Sequence, residues 1–100
     1  MTTENNKIIA EFMGYKKNTP SKDFFQHPTE KNRYDRIEFL SYDSDWNWLM
    51  EVVEKIYNTK APYELHKNIE DAFIYKVENR IESVYNACVE FIKWYNEENK

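Results

Sequence analysis

A single glycine, Gly14, serves one hundred residues. Tight turns with positive φ, and loops whose backbone must pass close to a phosphate, both depend on glycine. Glycine-built hairpins and glycine-rich ligand loops are therefore nearly excluded. Order in the chain has to come from elsewhere, and two stretches supply it. In Ser44 to Tyr57, the residues Trp46, Leu49, Met50, Val53, Ile56 and Tyr57 form one apolar stripe on a helical wheel. Trp48 and Val52 widen that stripe, and a broad stripe touches more than one neighbour. Farther on, Ile81, Val84, Tyr85, Cys88, Phe91, Ile92 and Tyr95 follow the i, i+3, i+4, i+7 seam of a second core helix.

A shorter helix is expected over Thr3 to Met13, where Ile8, Ile9, Phe12 and Met13 share a face. Thr2 or Thr3 can cap its start, and Gly14 is placed to stop it in a left-handed conformation. Ile37 to Tyr42 reads as a strand, after which Asp43 and Ser44 offer an N-cap to the tryptophan-bearing helix. Asn58 to Pro62 breaks that helix. Tyr63 to His66 and Ala72 to Val77 read as two strands joined by a turn around Lys67 to Asp71, with Phe73, Tyr75 and Val77 on one face. The last helix is expected to begin near Asn79, with Glu82 as capping-box partner, and to fray over Asn96 to Lys100. Between Tyr15 and Asp35 the chain reads as irregular, opposed to regular structure by Pro20 and Pro28 and too long for an ordinary connection. The expected fold is one mixed α/β domain over residues 1–100. It has a small sheet of about three strands covered by three helices, in the order α-β-α-β-β-α, resembling an α/β/α sandwich.

Composition narrows the setting. An aromatic fraction of 17% makes a core adequate although hydrophobic content is only 41%. The net charge of −4 argues against general nucleic-acid binding, where phosphate repulsion must be overcome. Cys88 is the only cysteine, which fits a reducing compartment. The first residues lack the basic stretch and apolar run of a signal peptide, and no apolar segment approaches the roughly twenty residues that span a bilayer. A cytoplasmic protein with no membrane partner is expected.

Three segments carry a family resemblance. They are Ile8-Ile-Ala-Glu-Phe-Met-Gly-Tyr-Lys16, Trp46-Asn-Trp-Leu-Met-Glu-Val-Val-Glu-Lys-Ile56 and Tyr85-Asn-Ala-Cys-Val-Glu-Phe-Ile-Lys-Trp-Tyr95. In this order they resemble small bacteriophage and prophage proteins of the phage α-β-α (ABA) sandwich domain family. The resemblance covers the three helices and implies a fold and a phage origin, with the host-cell cytoplasm as its setting. It carries no catalytic residue across.

Chemistry-bearing residues are few. Cys88 sits in the apolar seam with no histidine at an activating spacing, so it reads as packing. His27 and His66 lack metal-ligand spacing even with Asp23, Asp43 and Asp45 nearby. His66 reads as a strand-surface residue and His27 as a loop residue. Asp43 and Asp45 suit a helix N-terminus, and Glu51 and Glu54 a solvated helix face. No metal, cofactor or catalytic residue is expected. Trp46 reads as core, whereas Trp48 and Trp94 lie at stripe edges, suited either to a core flank or to an interface.

The strongest candidate is the stretch from Tyr15 to Arg36. It carries a net charge of +3 against −7 for the remainder. Its cations interleave with aromatic side chains, a pattern that suits an anionic nucleotide-like ligand or an acidic protein surface. Lys16, Lys17, Phe24, Phe25, Arg33, Tyr34 and Arg36 are the expected contacts. The plainer reading is a solvated loop whose aromatics tuck onto the sheet edge. The expectation is a phage accessory protein that binds and occludes a host factor, a defence protein or its nucleotide signal. A homo-oligomeric assembly protein is the alternative, and a small-nucleotide hydrolase comes last.

Overall fold

The computed structural model describes residues 2–16, 24–30, 33–36, 40–75 and 79–99. Among them the chain forms α1 (Thr2–Phe12), β1 (Phe24–Gln26), β2 (Tyr34–Arg36), α2 (Trp46–Tyr57), α3 (Tyr63–Tyr75) and α4 (Arg80–Glu98). The fold is a small mixed α/β globule with four helices and one two-stranded antiparallel sheet.

α4 organises the helices, packing on α1, α2 and α3. Its seam residues Val84, Tyr85, Cys88, Val89, Phe91 and Ile92 are all buried. From α1 come Ile9, Ala10 and Phe12, and from α2 come Leu49, Val52, Val53 and Ile56. The Phe91 ring meets Phe12 edge-on, with centroids 6.5 Å apart, and stacks on His66 at 5.5 Å. One polar side chain joins this core: Asn6 donates to the Leu40 carbonyl at 3.2 Å and accepts from the Tyr85 hydroxyl at 2.8 Å. A buried amide so satisfied ties α1, α4 and the chain entering α2 together without a desolvation penalty.

Helix ends follow local chemistry. Gly14 adopts φ 102°, the left-handed stop its position suggests, and a Cβ there would come within 3.3 Å of the Pro28 ring. Lys55 of α2 donates its ammonium to the Phe12 carbonyl and lies 4.8 Å from the Phe12 ring centre, closing the C-terminus of α1. The N-cap of α2 is Asp45, whose carboxylate accepts from the Asn47 N–H, rather than Asp43 or Ser44. Asn79 caps α4 through its backbone in a left-handed conformation, without the expected side-chain bond. α4 continues to Glu98 where fraying was expected.

Three expectations about strands need correction. Tyr63 to His66 and Ala72 to Tyr75 are not strands: Tyr63–Tyr75 is one helix, α3, and residues 76–77 of the second expected strand lie outside the described residues. Leu65, Ile69, Ala72 and Phe73 lie at i, i+4, i+7 and i+8, one helical face, and a Lys67–Asp71 ion pair at 3.1 Å spans one turn. Of the strand expected at 37–42, residues 37–39 lie outside the described residues, while Leu40 and Tyr42 are buried outside any strand. The stretch from Tyr15 to Asp35 is not irregular throughout, because it holds both strands of the sheet. Among the described residues the order is therefore α-β-β-α-α-α, with two strands where about three were expected.

Candidate functional site

β1 and β2 are three residues each, and their register sorts the expected contacts onto two faces. Phe24 pairs with Arg36, Phe25 with Asp35, and Gln26 with Tyr34. A further bridge joins Lys16 to Gln26, with N···O distances of 3.1 and 2.8 Å. Directly paired residues share a face, and successive residues alternate.

Phe25 and Asp35 therefore face inward. Phe25 is fully buried, which makes it the hairpin's anchor in the core rather than a contact for a partner. Asp35 accepts from the Tyr15 hydroxyl at 2.9 Å and from Arg33 Nε at 3.1 Å. Burial, then the bond to Asp35, holds the Tyr15 phenol proton well above its ordinary range. Arg33 also donates to Glu30 at 3.3 Å, and its hydrogen bonds to Asp35 and Glu30 raise the guanidinium further.

Outward face Phe24, Gln26, Tyr34 and Arg36, extended by the exposed Lys16 on the far side of Gln26. The Arg36 guanidinium lies 5.6 Å from the Phe24 ring centre, a cation–π arrangement. Tyr34 is 48% exposed, a large apolar surface left to solvent beside two cations. Four of the seven expected contacts thus share one sheet face: Lys16, Phe24, Tyr34 and Arg36. Lys17 lies outside the described residues.

Arg33 belongs elsewhere, in a cleft of about 260 Å³ between the hairpin and α2. Tyr15, His27, Asn47, Trp48 and Glu51 complete its wall. His27 Nδ1 accepts from the backbone N–H groups of Thr29 and Glu30 at 3.2 and 3.1 Å, which places the ring proton on Nε2. Arg33 is already bonded to Asp35 and Glu30, and Glu51 adds a carboxylate to the wall, so this cleft does not favour an anion.

The tryptophans distribute differently from their expected roles. Trp46 is not a core residue: it is 38% exposed and stacks on Phe73 at 5.7 Å. Trp48 is half-buried against Tyr42 at 5.4 Å, and Trp94 is half-buried against Phe91 at 5.8 Å. Both pack as flanking aromatics on the one hydrophobic core. His66 is a helical residue, held between Tyr57 and Phe91, rather than a strand-surface one. Among the described residues no group of three or more histidine, cysteine or acidic side chains is arranged to hold a metal. No helix among them is long and apolar enough to cross a membrane. Comparison with protein-family models, curated proteins and solved structures finds no match.

Proposed function

We propose that this chain acts by binding, and that the outward face of the β1–β2 sheet is its contact for an acidic surface on a partner protein. The observation that carries this reading is the strand register, which sets Lys16 and Arg36 on the same outward face as Phe24 and Tyr34. Cations at the rim steer an acidic partner, and the aromatic surface between them supplies apolar contact. A flat face of this kind fits a protein better than a small anion, and the one guanidinium of the neighbouring cleft is already bonded to Glu30 and Asp35. The phage setting comes from the resemblance of the three helical segments. In that setting the binding protein occupies a host factor during infection, by analogy with other small proteins that act through occlusion.

The test is a paired affinity capture from bacterial lysate, using the parent and Lys16→Glu/Arg36→Glu. A partner held by the parent is expected to bind the reversed variant about tenfold or more weakly, with the parent's affinity falling as salt rises. The reversed variant is expected to stay folded, with a stability loss of the order of the Arg36–Phe24 cation–π contact, about 0.5–1 kcal/mol at an exposed site. Equal retention of the partner at low salt overturns the reading.

A further inference from the structure

The three most exposed large apolar side chains among the described residues all belong to α3: Tyr63, Ile74 and Tyr75, at 68%, 62% and 73%. The helix buries Ile69 and Ala72, and Leu65 and Phe73 pack on the core beside them. At about 100° per residue these four positions define its inner side. Tyr63, Lys67, Asp71 and Tyr75 cross the outer side as one ridge, each four residues from the next. The Lys67–Asp71 ion pair, at 3.1 Å, occupies the middle of that ridge, and a tyrosine stands at either end. Apolar surface gathered on the outer side of one helix is more than scattered exposure and calls for a contact.

The ridge is symmetric about Ile69. Tyr63 and Tyr75 each stand six residues from it, and Lys67 and Asp71 each stand two. A two-fold axis through the middle of the outer side therefore carries position 63 onto 75 and position 67 onto 71, with the charges at 67 and 71 opposite in sign. An unrelated partner makes no demand that the two ends of a helix match; a second copy of the same helix does. We propose that α3 is the contact of a two-fold homodimer, in which the helix runs antiparallel to α3 of a second copy. Tyr63 of each copy then meets Tyr75 of the other, and Lys67 of each lies beside Asp71 of the other. The ion pair within each helix stays in place, because the two pairs lie side by side with unlike charges adjacent. Next to Tyr75 a groove of about 500 Å³ runs between α3 and α4, and the small side chains of Ala72, Ser83 and Ala87 in its lining leave room for the Tyr63 ring of the second copy. The contact draws on no residue of the sheet face and stands apart from the reading given above.

Sedimentation velocity over a wide concentration range tests this. The parent is expected to rise from the mass of one copy to that of two and to stop there, because a two-fold contact closes on itself. Tyr63→Glu puts an acid where the contact needs a ring, at both ends, and is expected to weaken association about tenfold or more. Tyr63 is exposed and lies in the first turn of α3, where an acid is favoured, so the far-UV spectrum and melting temperature are expected to hold. Lys67→Glu makes the middle of the ridge acidic at both positions, and Asp71→Lys makes it basic at both. Each variant is expected to stay monomeric alone, and the two are expected to form a mixed dimer, since an acidic ridge then meets a basic one. Lys16→Glu/Arg36→Glu is expected to dimerise like the parent. A parent that stays monomeric, or one that grows past two copies, overturns the proposal. So does an unaffected Tyr63→Glu, a mixture that stays monomeric, or a sheet reversal that abolishes the dimer.

Discussion

Cys88 shows how surroundings decide the chemistry of a residue. The thiol is fully buried, and burial pushes it from 9.0 up to about 12. The folded chain therefore keeps a proton that the unfolded chain releases at lower pH. The stabilising effect is complete below about pH 9 and declines by about 1.4 kcal/mol per pH unit as pH climbs toward the folded value. Tyr85, pushed up to about 12 by burial and then by the Asp43 charge, adds to the same alkaline loss from pH 10 upward. Cys88→Ala is expected to cost about 1 kcal/mol at neutral pH and to flatten the stability curve between pH 9 and 10. Urea midpoints of parent and variant across that window check both. Rapid labelling of the native thiol by a mild reagent would show that the site is open after all. The tryptophans make the complementary point. Trp48→Ala is expected to lower the melting temperature more than Trp46→Ala, because Trp48 fills space against Tyr42 while Trp46 is partly in water. A larger loss from Trp46 would return it to the core.

At the scale of elements, three helices could be read from apolar periodicity because α1, α2 and α4 each bury a stripe that repeats at helical spacing. The sequence of α3 suggests two strands for a definable reason. Ala72 to Val77 is a short apolar run broken only by Lys76, as a strand can be, and the polar run Lys67 to Asp71 looks like a turn when Ile69 is discounted. Ile69 is fully buried, and it links Leu65 to Ala72 and Phe73 along one helical face. The real sheet escaped notice because strands of three residues carry almost no periodic signal. Only Phe25 among the six is fully buried. The basic and aromatic residues of the candidate face were legible as a composition. Which of them face outward was not, since that depends on register, and register is invisible without the pairing. Phe24 and Phe25 make the distinction testable. Phe25→Ala is expected to cost about 3–5 kcal/mol, whereas Phe24→Ala is expected to cost far less and to weaken partner binding. Thermal melts of the two variants measure the contrast, and equal losses would contradict the assignment of faces.

Across the whole molecule, side-chain burial is unevenly shared. Six side chains of α4 are buried, and the Asn6–Tyr85 bond ties that helix to α1. Among the described residues the hairpin contributes one fully buried side chain, Phe25, and is bonded inward through Tyr15 and Asp35. An element that buries so much less apolar side-chain surface than α4 is expected to open before the helices, at a free energy below that of global unfolding. Amide hydrogens of Gln26 and His27 are expected to exchange with solvent deuterium faster than those of Cys88 and Ile92, under conditions where the native state predominates. Matching rates would mean that sheet and helices open as one unit. A hairpin that opens by itself makes recognition partly an ordering event. Part of the contact energy is then spent on closing the strands, which moderates affinity and shows itself as slowed exchange at Gln26 and His27 once a partner is bound.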